Sequence, residues 1–377
     1  MAGIYLHIPF CRKLCYYCDF HFSVSLKQKD RVVNALGEEL RKRAIEFRNE
    51  SVRTIYFGGG TPSVLSAKEI SGLLEIVKFN YSVADNPEIT LEANPDDLTT
   101  DYLKALRNET AVNRFSIGTQ SFNDTDLELM NRRHTANQAY ESISNAYNAG
   151  FTNLNIDLIY GVPGMSIDTW KQNLETFASL GIPHLSAYHL TFEPRTVFDF
   201  YRRKGKLFPI DEDLSVSQFS YLLSFMRGKG YDHYEISNFA LPGFYSQHNL
   251  GYWTAEPYLG IGPSAHSFIN GKRRWNVAVN TKYCQSMESG TSDYFGEETP
   301  DTRTSYNDYV LTALRTKWGI KWDYIAVNMG KEYLDYCRKQ AAKFVDTGKL
   351  ISTENELILS DDGKFIADHI ISGLLMV

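Results

Sequence analysis

Apolar stretches of strand length alternate with amphipathic stretches of helix length over the first half of the chain. The predicted strands span residues 3–10, 52–59, 88–94, 114–120, 153–161 and 184–192, and the predicted helices between them include 28–47, 66–79 and 166–181. This alternation is typical of βαβ units and predicts a parallel sheet. Six such units favour a partial (β/α)6 barrel over a complete eightfold one. Because chemistry in parallel barrels gathers at the carboxyl ends of the strands, we expect functional residues there.

The alternation stops after residue 192. A helical stretch near 212–229 leads into a segment rich in glycine and aromatic residues, and the chain from about residue 302 has the pattern of amphipathic helices. Short strands around 354–356 indicate a hairpin before a final helix. We therefore predict an α/β partial barrel over residues 1–233, a connecting segment over 234–300, and a smaller C-terminal α+β domain over 301–377. This last domain is expected to be helical and winged-helix-like, with a β-wing.

Composition and charge narrow the possible functions. The chain has 377 residues, of which 43% are hydrophobic and 14% aromatic, enough for a sizeable core. A formal net charge of −6 argues against a basic surface for nucleic acid. No apolar run reaches the length of a transmembrane segment, and the N-terminal residues do not resemble a signal peptide. We expect a cytoplasmic protein with reduced cysteines and no nucleic-acid partner.

Three of the five cysteines follow the first predicted strand directly. Cys11, Cys15 and Cys18 have the spacing C-x-x-x-C-x-x-C. Three thiolates can ligate three irons of a [4Fe-4S] cluster and leave the fourth iron open to a chelating ligand. A structural zinc site is one alternative, but it needs a fourth ligand such as Asp19, His7 or a distant residue. A group of reduced thiols without metal is the other alternative.

Polar residues interrupt three predicted strands that should be apolar. They are Glu92, Gln120 and Asp157. A carboxylate in a strand buried on both faces is costly unless it is paired or bound to a ligand. Each residue alone could hydrogen-bond a neighbouring loop. Because all three lie at the expected active face of the barrel, together they favour a binding site.

The cysteine spacing after a first barrel strand resembles the signature of the radical S-adenosylmethionine (SAM) superfamily. The resemblance extends over nearly the whole chain and implies that the three cysteines hold a [4Fe-4S] cluster whose open iron binds SAM. The segment "GGGTP" matches the family segment whose backbone meets the amino group of SAM. By the same resemblance, the SAM-binding positions are Tyr5, Gly58, Gly59, Gly60, Thr61, Glu92, Gln120, Arg132 and Asp157. Arg133 competes with Arg132 for the role of carboxylate partner.

The sequence "GIYLHIPFCRKLCYYCDF" resembles the branch that contains oxygen-independent coproporphyrinogen III oxidases and a group of heme chaperones. In the oxidases a fourth cysteine follows the third by two residues, whereas this chain has Phe20 there, as in the chaperones. The oxidases also carry a longer segment before the first barrel strand. Both departures favour the chaperone function and leave the oxidase as the alternative.

The segment "HNLGYW" resembles the H-N-x-x-Y-W motif of the heme-chaperone branch. His248 is the leading candidate for a heme-iron ligand, and Tyr252 and Trp253 could stack on the porphyrin. His266 is a second candidate ligand. A packing or hydrogen-bonding role for His248 is the open alternative.

The resemblance therefore predicts a heme chaperone that carries a [4Fe-4S] cluster, SAM and heme. It would deliver heme to an acceptor protein, for which a respiratory protein is one candidate, and no catalytic residue is assigned. The cluster and SAM would then serve regulation or transfer. The competing class is an enzyme, either an oxidase that decarboxylates coproporphyrinogen III or a radical SAM enzyme with another substrate.

Overall fold

The structure, a computed structural model, describes residues 2–377. Six parallel strands form its centre, paired in chain order with at least one helix between each strand and the next. These elements are β1 (Ala2–Ile8), α1 (Lys29–Arg43), β2 (Ser51–Gly59), α2 (Ala67–Asn80), β3 (Ser82–Ala93), α3 (Thr100–Glu109), β4 (Arg114–Gln120), α4 (Asp124–Leu129), α5 (Ala136–Asn148), β5 (Asn153–Tyr160), α6 (Ile167–Ser179) and β6 (His184–His189). This arrangement confirms the predicted α/β partial barrel.

Apolar residues in register hold the central strands together. Ile4 on β1 is aligned with Ile55 on β2, and Ile55 is aligned with Ile89 on β3. All three side chains are at most 1% exposed, so the sheet is covered where they lie. Burial of this kind is the dominant favourable term in folding and fixes the register of the strands. It therefore also fixes where each strand ends.

The second part of the chain extends the same sheet at both edges. Its elements are α7 (Val197–Arg203), α8 (Glu212–Gly228), β7 (Asp232–Glu235), β8 (Asn238–Ala240), α9 (Gln247–Trp253), β9 (Tyr258–Ile261), β10 (His266–Ile269), β11 (Lys272–Asn276), α10 (Asn280–Ser289) and β12 (Phe295–Glu298). Strand β8 pairs antiparallel with β6, and β9 pairs parallel with β1. The result is one sheet of twelve strands.

Residues 234–300, predicted as a connecting segment, contribute strands to the central sheet. The two edge strands of an open six-stranded barrel present unpaired backbone groups, and β8 and β9 satisfy them. Tyr283 and Cys284 of α10 also lie in the same hydrophobic core as the barrel. The segment is therefore an integral part of the barrel sheet.

The C-terminal residues form a second hydrophobic cluster of their own, whose buried members lie between Tyr306 and Leu374. The elements are α11 (Thr302–Ala313), β13 (Ile320–Lys321), α12 (Trp322–Asn328), α13 (Lys331–Asp346), β14 (Leu350–Ser352), β15 (Glu356–Leu359), α14 (Asp361–Lys364) and α15 (Ala367–Leu374). Strands β14 and β15 pair antiparallel around the predicted turn. The predicted domain boundaries stay a prediction. Among residues 2–377, no helix is long and apolar enough to cross a membrane.

Candidate functional site

A cavity of about 490 Å³ opens at the carboxyl ends of the central strands. Most of the residues predicted to form the site lie on its walls. They are Cys11, Cys15, Cys18, Gly59, Gly60, Thr61, Glu92, Gln120, Arg132 and Asp157. Tyr5 and Gly58 lie behind this wall, where a Cβ atom on Gly58 would be 2.7 Å from the Tyr5 ring. The chain thus gathers these residues at the end of the barrel where parallel barrels carry their chemistry. We call this space the cysteine cavity.

The three cysteines lie on the loop that follows β1, and two of them accept hydrogen bonds from other parts of the chain. The Thr61 hydroxyl donates to Cys11 Sγ at 3.3 Å, and Arg132 Nη1 donates to Cys15 Sγ at 3.2 Å. Donors of this kind stabilise thiolate charge and tune a bound cluster. Burial raises the pKa of Cys11 to about 11 and that of Cys18 to about 12. Binding of iron must therefore displace protons from these sulfurs.

The arrangement of the sulfur atoms bears on the choice between zinc and a cluster. Zinc–sulfur bonds of about 2.3 Å bring tetrahedral ligands close together around one ion. Over residues 2–377, no three His, Cys, Asp or Glu side chains converge to hold a single metal ion. A cluster separates its cysteine ligands more widely, because each sulfur binds a different iron. Three cysteine sulfurs suit a cluster with one iron left open, whereas a structural zinc site needs a fourth protein ligand.

Glu92, near the end of β3, is held in place by two donors. The Tyr56 hydroxyl donates to Oε1 at 2.9 Å, and the backbone N–H of Gly59 donates to Oε2 at 3.1 Å. Burial is the main reason that the pKa of Glu92 is raised to about 7, and the nearby Asp157 raises it further. A partly buried carboxylate on a cavity wall gains stability from a cationic ligand. The carboxylate therefore suits the ammonium group of SAM.

The glycine segment at the end of β2 gives the chain a shape that other residues cannot adopt easily. Gly59 has a φ of +111°, in the region that favours glycine. A Cβ atom on Gly60 would lie 2.8 Å from the Phe10 carbonyl oxygen and 3.0 Å from that of Ile8. The segment therefore packs directly against the backbone that leads into the cysteine loop.

Arg132 connects the cysteine loop to the ends of β3 and β4. Its Nη2 donates to Asn94 Oδ1 and to the Gly118 carbonyl oxygen, both at 2.6 Å. Its Nε is buried and has no hydrogen-bond partner within the part of the chain that the structure describes. A carboxylate ligand would suit this free donor. Arg133 forms an ion pair with Asp96 and does not line the cysteine cavity, which favours Arg132 over Arg133 as the ligand-binding arginine.

Two further polar residues complete this end of the cavity. Gln120 has a φ of +67°, which is uncommon for a residue other than glycine, and it follows a register shift in the pairing of β4 with β5. Asp157 accepts hydrogen bonds from Asn155 Nδ2 at 2.9 Å and from the Ser116 hydroxyl at 3.5 Å. Burial raises the pKa of Asp157 to about 6. Strained backbone and perturbed carboxylates are typical of functional sites.

The sequence analysis missed two residues that position Arg132. The Tyr17 hydroxyl lies 3.3 Å from Arg132 Nη1, and Asn94 accepts from Nη2. Asn94 could have been found, because it follows Glu92 by two positions in the predicted strand 88–94, in which alternate side chains share a face. Phe20 also lines the cysteine cavity. Its side chain is 68% exposed and therefore does not contribute to the hydrophobic core.

His248 lies at the other end of the barrel. It is 3% exposed and contacts Thr54, near the amino end of β2. Its Nδ1 forms a 2.8 Å hydrogen bond with the Thr54 hydroxyl, and its Nε2 forms one of 2.8 Å with the Tyr252 hydroxyl. Burial lowers the pKa of His248 to about 3, so the imidazole is neutral. A neutral imidazole is the form that binds a metal ion.

A second cavity of about 480 Å³ adjoins His248. We call it the His248 cavity; its walls are mainly apolar and combine β1, β2, α9 and the C-terminal part of the chain. They include Gly3, Thr54, His248, Leu250, Tyr252, Pro257, Tyr258, Trp318 and Lys321. Trp253 is not part of this lining, whereas Trp318 is. A mainly apolar cavity of this size with a few polar groups suits an organic ligand.

Comparison with known proteins identifies the family. Residues 5–177 match the Radical SAM superfamily. The chain is 34% identical over 372 residues to the heme chaperone HemW of Lactococcus lactis, an alignment that covers 99% of this chain and 97% of the relative. The chain belongs to the HemW family. Membership of the radical SAM superfamily implies a [4Fe-4S] cluster and SAM.

Other comparisons support this placement. HemW of Bacillus subtilis is 32% identical over 377 residues, covering 100% of this chain and 99% of the relative. HemW of Escherichia coli is 38% identical over 276 residues, covering 71% of this chain and 70% of the relative. The solved structure of the Escherichia coli radical SAM enzyme coproporphyrinogen III oxidase (HemN) gives a TM-score of 0.85 at 25% identity, covering 100% of this chain and 90% of that chain. The fold is therefore shared with the oxidase, whereas the sequence is more similar to the HemW proteins.

Proposed function

We propose that the protein is a heme chaperone that binds heme and transfers it to an acceptor protein. The observation that carries the proposal is the similarity to heme chaperones over the whole chain. The presence of Phe20 in place of a fourth cysteine supports it. The protein would act in the cytoplasm, and a respiratory heme protein is the candidate acceptor.

The cysteine cavity would hold the cluster and SAM. Cys11, Cys15 and Cys18 would ligate three irons, and the fourth iron would provide the coordination site for SAM. Glu92 and the backbone of the Gly58–Thr61 segment would hold the ammonium group of SAM, because the carboxylate already lies on the wall. Arg132 would hold the carboxylate group.

The remaining predicted residues would support the rest of the ligand. Asp157 would bind the ribose hydroxyls, with Asn155 and Ser116 fixing the orientation of its carboxylate. Gln120 would contribute a neutral polar group from the strained end of β4. Tyr5 does not line the cavity and would support the SAM site indirectly. Its ring packs against Gly58, and its hydroxyl forms a hydrogen bond with His7.

The His248 cavity would hold the heme. The neutral His248 imidazole is a suitable iron ligand, provided that Nε2 exchanges its hydrogen bond with Tyr252 for the iron. Tyr252 and Trp318 offer aromatic surface to the porphyrin, and Lys321 offers a cation to its carboxylates. His266 starts β10 on the exposed surface and does not line this cavity, which makes it the weaker candidate.

The alternative function is that of an oxygen-independent coproporphyrinogen III oxidase. The structural similarity to HemN favours it, because the fold is shared over the whole chain. In that case the porphyrinogen would have to reach the cysteine cavity, where the cluster and SAM would supply the radical chemistry. A ligand held at His248 would lie at the opposite end of the barrel. The two functions therefore place their porphyrin at different ends.

Two parallel assays on anaerobically reconstituted protein test the proposal. In the first assay, heme is titrated into the protein and followed by the Soret band; we expect saturable binding. In the second, the protein is incubated with SAM, a reductant and coproporphyrinogen III; we expect no decarboxylated product. Formation of protoporphyrinogen would overturn the chaperone proposal in favour of the oxidase, and an absence of saturable heme binding would also overturn it.

A further inference from the structure

One side chain contacts both the wall of the cysteine cavity and His248. Tyr56 lies on β2 and is 7% exposed. Its hydroxyl donates to Glu92 Oε1 at 2.9 Å. Its ring stacks on that of His248, with ring centroids 5.0 Å apart and 23° between the planes. The two ends of the barrel are therefore joined by three side chains in contact, Glu92, Tyr56 and His248, of which the last two are buried.

We propose that Tyr56 couples the two sites, so that SAM bound at Glu92 orders His248 and α9 and raises the affinity for heme. The proposal rests on the proposed function for the identity of the two ligands. Tyr56 is a positioning residue in this scheme, because it would contact neither ligand directly.

The first step of the coupling is electrostatic. A ligand ammonium group beside Glu92 keeps that side chain in its carboxylate form. A hydroxyl donates a shorter and stronger hydrogen bond to a carboxylate than to a neutral acid. Binding at Glu92 therefore restrains the Tyr56 hydroxyl and, through it, the orientation of the Tyr56 ring.

The second step is steric. The His248 ring is stacked on Tyr56 and hydrogen-bonded to Thr54. On its Gly3 side there is little free space, since a Cβ atom on Gly3 would lie 3.1 Å from two atoms of the His248 ring. A restrained Tyr56 therefore also restrains His248. When a first ligand orders a site, a second ligand loses less conformational entropy on binding there.

A second aromatic contact does not provide the same link. The Tyr5 ring lies 6.3 Å from that of His248, farther than the Tyr56 ring. Its hydroxyl hydrogen-bonds His7 rather than Glu92. Tyr5 therefore lacks the bond through which the state of Glu92 would be transmitted, and the Tyr56 hydroxyl is the atom to test.

The coupling can be measured without heme. Hydrogen–deuterium exchange of the α9 amides is followed in heme-free, cluster-reconstituted protein, with and without saturating SAM. We compare the wild type with Y56F, which keeps the ring and removes the hydroxyl. The matched control is Y81F, because Tyr81 is buried and donates to the Leu40 carbonyl oxygen instead. We expect SAM to slow exchange in the wild type and in Y81F at least threefold and to leave exchange in Y56F unchanged.

An unchanged exchange rate in the wild type, or equal slowing in Y56F, would overturn the coupling. The heme titration provides the second test. SAM should tighten heme binding at least fivefold in the wild type, heme should tighten SAM binding by the same factor, and both factors should be close to one in Y56F. If heme binds with an affinity that SAM does not change, the coupling is wrong. If heme does not bind at all, the proposed function is wrong, while the exchange result still decides the coupling.

Discussion

Arg132 Nη1 donates a hydrogen bond to Cys15 Sγ at 3.2 Å. The two residues are far apart in the chain, yet this contact places a guanidinium between the cysteine loop and the wall that carries Glu92. The same side chain is anchored to Asn94 and Gly118 through Nη2, and its buried Nε has no hydrogen-bond partner among residues 2–377. One arginine thus contacts Cys15 and lines the cysteine cavity, where we propose that the cluster and SAM bind.

We predict that R132M weakens SAM binding at least tenfold. Hydrogen bonds to charged groups contribute roughly 1.5–3 kcal/mol each, and about 1.4 kcal/mol corresponds to a factor of ten in affinity. Equilibrium binding of SAM to the reconstituted protein measures the effect. R133M is the matched control, because Arg133 is the neighbouring arginine and pairs with Asp96. Equal losses in the two variants would contradict the assignment of Arg132.

SAM binding should depend on pH through Glu92. Burial raises the pKa of this carboxyl to about 7 in the absence of ligand, and the ammonium group requires the ionised form. Affinity should therefore fall as the pH is lowered through 7. A pKa of about 7 implies a roughly eightfold loss between pH 7.5 and pH 6.0. Titrations at several pH values measure this loss.

The E92Q variant provides the control for this pH dependence. Its affinity at pH 7.5 should already be low, and it should fall less steeply down to pH 6.0 than that of the wild type, since Glu92 no longer titrates and only Asp157, with a pKa raised to about 6, still does. A slope in E92Q as steep as that of the wild type would assign the titration to another group.

Much of the cysteine cavity could be predicted because its residues follow recognisable strands. The ends of buried parallel strands meet at one edge, so Glu92, Gln120 and Asp157 could be grouped without knowledge of any contact. Tyr17 and Tyr56 could not be found in this way, since their hydroxyls reach partners brought close only by the fold. The pattern of apolar and polar residues within one strand does not show which residues of other strands or loops its side chains will contact.

The strands added at the barrel edges were missed for a related reason. Strands β7 to β12 contain three to five residues each, too few for a clear alternation of apolar and polar positions. Their place in the sheet depends on the pairing of β9 with β1 and of β8 with β6. Strand β9 lies more than 200 residues after β1 in the chain, so a local pattern cannot show that the two strands pair. The environment of His248 depends on this same pairing, so its position at the amino ends of the strands could not be predicted either.

We predict that G60A destabilises the protein and lowers its iron content. The added Cβ atom would lie 2.8–3.0 Å from backbone atoms of Phe10 and Ile8, which cannot move without displacing the cysteine loop. Overpacking of this kind costs roughly 1–3 kcal/mol. Thermal unfolding and iron analysis after anaerobic reconstitution measure the two effects.

G72A is the matched control for G60A. Gly72 lies within α2, and a Cβ atom there would have no neighbour within 4 Å. Replacement by alanine should stabilise the helix by roughly 0.5–1 kcal/mol and leave the iron content unchanged. Similar destabilisation in both variants would show that the close contact of Gly60 is not the cause.

The most direct test of the account is a heme titration of the wild type, H248A and H266A, followed by the Soret band, with circular dichroism and SAM affinity as checks on folding. The account predicts saturable binding in the wild type and in H266A, and a loss of affinity of at least tenfold in H248A, with its Soret maximum shifted because an iron ligand is missing. Binding in a folded H248A with the wild-type affinity and spectrum would contradict the central claim that heme binds at His248.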